Sequence, residues 1–278
     1  MRRHPPRRRD EGGRSASDRP PVVDSTYFSP APPRILAHRG LAIEAPENTL
    51  LAFLKALSIG VTHIETDVHV SFDGVAMISH DPDLRRVAGR TVRIDQLTAA
   101  ELKRIDLGHG QTFATLREAL EAFPDTRFNI DLKSPDVVGP AVEAILEADA
   151  ADRVLVTSFN DARRKAAVQL LPGVATSASA WTFALALVGA KLGLRSLVRR
   201  ALKDIQAVQV PPARYGFRII TPRVVRMLHA VPVEVHAWTI NDPAEMNRLL
   251  DLGVDGLVTD RSDLATIVLR ENRSPNRT

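Results

Sequence analysis

The feature that most constrains the fold is an alternation of strand patterns and amphipathic helix patterns that recurs eight times. The strand patterns are centred near residues 35, 64, 128, 155, 174, 208, 235 and 257, and a helix pattern follows each. Parallel strands need helical crossovers, and eight such units over about 248 residues predict an α/β fold, a (β/α)8 TIM barrel. An open doubly wound sheet is the alternative, but no glycine-rich dinucleotide-binding motif follows the first strand pattern.

The ends of the chain differ in composition from the predicted barrel. Residues 1–20 carry seven arginines and three acidic residues, which accounts for the whole net charge of +4. A segment so poor in apolar side chains cannot offset the entropy of ordering, so we expect residues 1–30 to form a disordered basic arm. The barrel is expected at 31–272, with a small insertion at about 69–113 after the second strand and a tail at 273–278.

Charge and composition exclude several classes of function. After residue 20 the chain has 30 basic and 30 acidic residues, which argues against a nucleic-acid-binding domain with its basic surface. The absence of cysteine excludes disulfides and thiolate metal sites, so any metal must have oxygen or nitrogen ligands. No apolar segment precedes Val22, so we expect no secretory signal, no transmembrane segment and a cytoplasmic location. The sequence does not indicate an oligomeric state.

The stretch from residue 64 to residue 81 carries the densest polar pattern. Strand alternation places Glu65, Asp67 and His69 on one face. Two carboxylates side by side repel each other unless a cation lies between them, and hard oxygen ligands suit Mg²⁺ or Ca²⁺. A turn at Asp73 and Gly74 then returns the chain to His80. Taken alone, the stretch is equally compatible with a half-exposed hairpin that has a solvated acidic face.

In a TIM barrel, side chains at the carboxyl ends of the strands meet at one rim. The predicted ends and the insertion supply His38, Arg39, Glu65, Asp67, Asp131, Lys133, Trp238 and His80. The three carboxylates are suited to a hard metal ion, and the two histidines can act as general acid and base. The arginine and the lysine can bind an anion. Hydrolysis of a phosphate ester requires such a set.

Several motifs in order resemble those of the glycerophosphodiester phosphodiesterase family, over about residues 34–268. They are His38-Arg39-Gly40, Pro46-Glu47-Asn48-Thr49, Glu65-Thr66-Asp67-Val68, His80-Asp81, Asp131-Leu132-Lys133, Trp238-Thr239-Ile240-Asn241 and the final strand from Gly253 to Asp260. The resemblance implies a TIM barrel and a divalent cation, Ca²⁺ or Mg²⁺. It also implies a small-molecule substrate, a glycerophosphodiester hydrolysed to glycerol 3-phosphate and an alcohol.

The resemblance also implies roles for individual residues. His38 and His80 would be the acid–base pair, Glu65 and Asp67 metal ligands, and Arg39 a phosphate contact. The third ligand of the family is usually a glutamate in a Glu-x-Lys motif, where this chain has Asp131 before Lys133. Aspartate has the same charge but a side chain shorter by one methylene, so the preference between the two metals stays open.

Three further residues have two readings each. Glu47 and Asn48 either cap the first helix or orient His38 or the phosphate. Trp238 either packs against the barrel or forms a wall for the glycerol group.

An apolar stretch at residues 181–194 precedes the basic residues Arg195, Arg199 and Arg200. It is too short to span a bilayer, and a barrel helix that packs its apolar face is the favoured reading. A peripheral contact with anionic head groups is the alternative. The stretch would also suit a lysophospholipase D-like enzyme that acts on lipids. A non-catalytic barrel that binds a phosphorylated ligand is a third hypothesis, but it predicts the loss of a catalytic residue, and none is missing.

Overall fold

The structure, a computed structural model, describes residues 25–273 and contains the predicted eight-stranded parallel barrel. The strands are β1 (Arg34–His38), β2 (His63–Val70), β3 (Ala76–Ile78), β4 (Arg127–Leu132), β5 (Val154–Thr157), β6 (Ala175–Thr176), β7 (Ala207–Val210), β8 (Ala213–Arg214), β9 (Phe217–Arg218), β10 (Glu234–Ala237) and β11 (Gly256–Thr259). The barrel strands pair in the order β6, β5, β4, β2, β1, β11, β10, β7. A parallel bridge between Ser177 and Ala207 joins the two end strands and closes the barrel.

The helices are α1 (Leu50–Ser58), α2 (Arg85–Ala88), α3 (Ala99–Leu102), α4 (Leu116–Ala122), α5 (Val138–Glu147), α6 (Asp161–Leu170), α7 (Ala180–Leu192), α8 (Arg195–Ala201), α9 (Pro222–Leu228), α10 (Pro243–Asp251) and α11 (Ser262–Arg273). Short 3-10 helices cover Thr26–Phe28, Ile94–Gln96 and Pro135–Val137. Among the described residues, no helix is both long enough and apolar enough to traverse a bilayer. The main apolar core lies between the strands and the surrounding helices.

The packed part of the chain begins earlier than predicted. Residues 25–30 were assigned to the disordered arm, but Tyr27 is completely buried, and its backbone N–H donates to the carbonyl of Asp152 over 3.1 Å. The carbonyl of Tyr27 also lies 2.7 Å from His63 Nε2. One aromatic side chain in a polar segment therefore fixes the entry to the barrel. Residues 1–24 and 274–278 lie outside the described residues, so for them the predicted arm and tail stay predictions.

The register between strands determines which polar side chains meet at the rim. His38 is paired with Glu65 across β1 and β2, and Asp67 is paired with Asp131 across β2 and β4. Paired residues in neighbouring strands point to the same face of the sheet. The register thus gathers one histidine and three carboxylates inside the carboxyl end of the barrel.

The insertion after β2 forms a small subdomain with its own apolar cluster. Its strand β3 runs antiparallel to β2, with Val68 opposite Ile78. Thr98 and Glu101 make both hydrogen bonds of the predicted capping box at the start of α3. The cluster contains Met77, Leu84, Ile94, Leu102, Ile105 and Phe113. Packing of β3 against β2 carries the next residues of the chain, including His80, to the rim.

Candidate active site

A cavity of about 230 Å³ lies at the carboxyl ends of the barrel strands. Eight of the ten residues predicted for the site line it, namely His38, Arg39, Glu65, Asp67, His80, Asp131, Lys133 and Trp238. The other two, Glu47 and Asn48, lie behind this lining, where they bond to Arg39 and Asp67. Asn129, Ser158, Phe159 and Gln209 add to the wall. The structure therefore brings the predicted residues together.

The turn after β1 requires glycine at position 40. Arg39 has a φ of 57° and Gly40 one of 84°, a region in which glycine is the least strained residue. A Cβ on Gly40 would also lie only 2.6 Å from the backbone of Ala52 in α1. This close approach turns the chain sharply at the end of the strand. His38 and Arg39 thereby both remain at the rim.

His38 is held by a carboxylate from the last strand. Its Nδ1 lies 2.6 Å from Oδ1 of Asp260, and its Nε2 lies 3.9 Å from Oε2 of Glu65. Asn241 donates from Nδ2 to the other oxygen of Asp260 over 2.7 Å and accepts from the backbone N–H of Asp260. Burial alone would lower the pKa of His38, but the hydrogen bond to Asp260 and the charge of Glu65 raise it above its ordinary value.

His80 has a similar arrangement, built from its own neighbour in sequence. Its Nδ1 lies 2.7 Å from Oδ1 of Asp81, and Arg86 donates from Nε to the other oxygen of Asp81 over 2.6 Å. His69, predicted to share a face with Asp67, instead lies with Nε2 3.1 Å from the carbonyl of His80. In both catalytic candidates the carboxylate occupies Nδ1 and leaves Nε2 as the ring nitrogen available to a substrate.

The residues of the Pro46–Thr49 motif each have a separate task. Thr49 caps α1 by accepting a hydrogen bond from the N–H of Ala52, so neither Glu47 nor Asn48 is the cap. Glu47 forms an ion pair with Arg39 at 3.1 Å and one with Arg86 at 2.6 Å. Asn48 donates to Oδ2 of Asp67 over 3.1 Å. The motif orients the arginine and one carboxylate of the cavity, rather than His38.

Two of the three carboxylates share one ammonium group. Lys133 Nζ lies 2.7 Å from Oδ1 of Asp67 and 2.6 Å from Oδ2 of Asp131. Burial would raise the pKa of Asp67, but Lys133 and Arg39 together lower it. Burial raises the pKa of Asp131 and, together with the charge of Asp67, raises the pKa of Glu65 to about 8. The cavity therefore holds more carboxylate than its own cations neutralise.

Within residues 25–273, the predicted ligands do not stand as a ready-made cluster of three or more metal-ligating side chains. Lys133 bridges Asp67 and Asp131 instead. The residues nevertheless fit a hard divalent ion, because Oδ1 of Asp131 is buried without a hydrogen-bond partner and the carboxyl of Glu65 is costly to ionise there. A cation among these oxygens would satisfy both groups.

Trp238 lines the cavity, and its role as a wall for the glycerol group stays a prediction. Its ring meets that of Phe159 edge to face, with centroids 5.9 Å apart. Phe159 is 60 % exposed and stands at the mouth of the cavity. The pair gives one side of an otherwise charged cavity an apolar surface.

Reasoning from sequence missed several residues that hold the site together, above all Asp260, Asn241 and Arg86. A signal for Asp260 was present, because it follows directly on the last predicted strand. Closure of a barrel places that strand beside the first one, and β11 does pair with β1. For Arg86 no such signal exists, since its contacts depend on how the insertion folds.

Comparisons with known proteins agree with this geometry. The sequence model of the glycerophosphoryl diester phosphodiesterase family matches residues 38–264. "Probable glycerophosphodiester phosphodiesterase 2" of Mycobacterium tuberculosis is 41% identical over 236 residues, covering 84% of this chain and 89% of its own. "Glycerophosphodiester phosphodiesterase" of Caldanaerobacter subterraneus subsp. tengcongensis is 30% identical, covering 85% and 98%. A phosphodiesterase of Oleispira antarctica, solved in complex with the product sn-glycerol-3-phosphate, superposes with a TM-score of 0.69 at 26% identity, covering 86% and 97%.

Proposed function

Because the chain belongs to the glycerophosphoryl diester phosphodiesterase family and is a phosphoric diester hydrolase, we propose that its cavity hydrolyses glycerophosphodiesters to glycerol 3-phosphate and an alcohol. In this reaction His38 and His80 are the acid–base pair. The observation that carries the proposal is the paired arrangement of the two histidines on one cavity, each with a carboxylate at Nδ1. The product complex of the Oleispira antarctica protein supports the choice of product.

The two histidines would divide the proton transfers of one displacement at phosphorus. One takes a proton at Nε2 from the attacking hydroxyl, which belongs to water or to the glycerol of the substrate. In the second case the displacement forms a cyclic phosphate, and water opens it in a further displacement to give glycerol 3-phosphate. The other donates a proton from Nε2 to the oxygen of the leaving alcohol as the P–O bond breaks. Asp260 and Asp81 orient the two imidazole rings through Nδ1, and Asp260 also stabilises the imidazolium form of His38. Arg39 would contact the phosphate.

The carboxylates would hold a divalent cation, Ca²⁺ or Mg²⁺. Glu65, Asp67 and Asp131 are the proposed ligands, supported by the orphaned oxygen of Asp131 and the raised pKa of Glu65. When bound, the ion would supply positive charge that neutralises the ligands and stabilises charge on the phosphoryl oxygens. The ammonium group of Lys133, which lies between Asp67 and Asp131, would also bind the substrate phosphate.

The test is release of glycerol 3-phosphate from glycerophosphocholine in EDTA, in Mg²⁺ and in Ca²⁺. We expect activity with a divalent ion and none in EDTA. His38→Ala and His80→Ala should each lower kcat roughly 10²- to 10⁴-fold, whereas His109→Asn in an exposed loop of the insertion should leave it unchanged. The leaving group of a nitrophenyl ester needs little protonation, so the variant that lacks the acid should hydrolyse this substrate at a rate much closer to that of the parent. Near-parental kcat in both alanine variants would refute the histidine roles.

A further inference from the structure

Helix α7 packs on the barrel with small side chains and with Phe183 and Leu187, which are half-buried against the core, and leaves its other large apolar side chains exposed. The buried residues of the helix are Ala186, Gly189 and Ala190. A Cβ on Gly189 would lie only 3.1 Å from the side chain of Val198 in α8, so the two helices are already in close contact there. An ordinary surface helix exposes polar residues on its outer face, whereas the outer face of α7 is apolar as well.

The outward residues form one continuous stripe along the helix. Trp181 is 70 % exposed, Val188 50 % and Leu192 65 %, and Leu185 is exposed between them. Their spacing of four, three and four residues places them on the same face. Leu194, just past the end of the helix, is exposed as well. Soluble monomers rarely leave such a run of large apolar side chains uncovered without a binding role.

The charge around the stripe is mostly positive, since Asp161, which Ser179 contacts at the start of α7, is paired with Arg164 and Lys165. Residues 162–233 contain twelve lysines and arginines but a single acidic residue, Asp204, although the chain after residue 20 is balanced. Lys191 near the end of the stripe and Arg195, Arg199 and Arg200 on α8 are all exposed. Within residues 25–273 none of these four forms an ion pair. Their charge is therefore available to an external anion.

We propose that this surface, the α7 stripe with the basic residues of α8, docks on an anionic phospholipid membrane. The apolar side chains would enter the boundary between head groups and acyl chains, while the four cations would attract acidic head groups. At about 20 Å, the 13-residue helix would lie in the interface rather than cross it. A second copy of the chain fits less well, since a symmetric dimer would bring the same four cations together.

The docking surface begins at the mouth of the cavity. The backbone N–H of Ala180, at the start of α7, donates to the carbonyl of Phe159 over 3.2 Å. Trp181 and the aromatic wall of the cavity thus belong to one region of the rim. A barrel docked through α7 would hold its active site beside the membrane surface.

The experiment is flotation of the full chain with vesicles of phosphatidylcholine, with and without roughly one third of phosphatidylglycerol. The triple change Arg195→Gln, Arg199→Gln, Arg200→Gln should weaken binding to the anionic vesicles on the order of 100-fold. Leu192→Ser should weaken it by roughly tenfold or more. Two matched control variants change exposed residues on the insertion and should bind like the parent. They are the triple variant Arg85→Gln, Arg90→Gln, Arg104→Gln and the single variant Phe72→Ser.

A second readout separates this surface from the basic N-terminal arm, which all variants share. Trp181 is one of two tryptophans, so lipids with brominated acyl chains should quench the parent, and Trp181→Phe should lose that quenching. Hydrolysis of soluble glycerophosphocholine should not change in any of these variants. Flotation without quenching, or equal losses in the control variants, would overturn the proposal. Concentration-dependent dimers that Leu192→Ser abolishes would overturn it in favour of a second copy.

Discussion

Replacing Asp260 by asparagine should show which catalytic role His38 has. In the parent, Nδ1–H of His38 donates to Asp260, and the raised pKa of His38 depends on that contact. Asn241 directs its Nδ2–H at the other oxygen of residue 260, because its own oxygen accepts from the backbone N–H of Asp260. An asparagine at 260 would therefore turn its oxygen to Asn241 and its NH₂ to His38. The neutral imidazole would then carry its proton on Nε2 instead of Nδ1.

The size of the effect follows from the exposure of the pair. The side chain of Asp260 is 49% exposed, so water screens its charge, and we assign the contact about 1 kcal/mol in favour of imidazolium. Since burial continues to lower the pKa of His38, loss of the carboxylate should lower that pKa. If His38 is the base, the acidic limb of the pH–rate profile moves to lower pH. In addition, kcat falls roughly 10²- to 10⁴-fold, because Nε2 no longer accepts a proton. If His38 is the acid, the alkaline limb of the pH–rate profile moves to lower pH instead.

The assay is the pH dependence of kcat/KM on glycerophosphocholine for Asp260→Asn and for Asp263→Asn. The second change lies in the first turn of α11, away from His38, and should leave both limbs in place. A profile for Asp260→Asn that superposes on that of the parent would show that the contact with His38 has no catalytic consequence. A shift of either limb to higher pH would contradict the electrostatic reasoning, since removing a carboxylate cannot stabilise the imidazolium.

Two further predictions concern the metal and the entry to the barrel. Asp131→Asn should weaken binding of Mg²⁺ or Ca²⁺ by roughly tenfold or more in calorimetric titration. The control Asp136→Asn changes an exposed residue of the following 3-10 helix and should not weaken it. Equal affinities in the two variants would show that Asp131 is not a ligand. Tyr27→Ala should lower the free energy of unfolding in urea by about 3 to 5 kcal/mol, because the side chain is completely buried. Tyr27→Phe should cost nothing, since the buried hydroxyl has no partner, and a large loss there would reveal one.

The barrel could be predicted because its evidence is local. Periodicities of two and of 3.6 residues mark each strand and helix separately, and eight repeats leave few arrangements open. The predicted site followed from the same evidence, since polar side chains that close a strand pattern belong to one rim. Glu65 and Asp67, Asp131 and Lys133 could all be placed in this way, and they line one cavity.

What could not be predicted depends on contacts between distant parts of the chain. The partner of His38 lies 222 residues away, and only closure of the barrel brings it near. The bridge of Lys133 between Asp67 and Asp131 depends on side-chain positions that no pattern records. In α7 the sequence is apolar on almost every side, so its periodicity does not say which face is buried. Close packing against α8 requires a small residue at Gly189.

The closure of the barrel between β6 and β7 rests on one residue pair, Ser177 with Ala207, whereas β1 and β11 share four. This short seam lies between two parts of the chain that supply different groups to the cavity. Both histidines, the arginine, the lysine and all three carboxylates precede the seam, and residues after it supply Asp260, Asn241 and Trp238. If the enzyme were split within the α7–α8 turn, the first fragment would carry nearly all of the reacting groups. The second fragment would carry Asp260, which holds His38. Recovery of activity on mixing the two fragments would therefore report that Asp260 again orients His38.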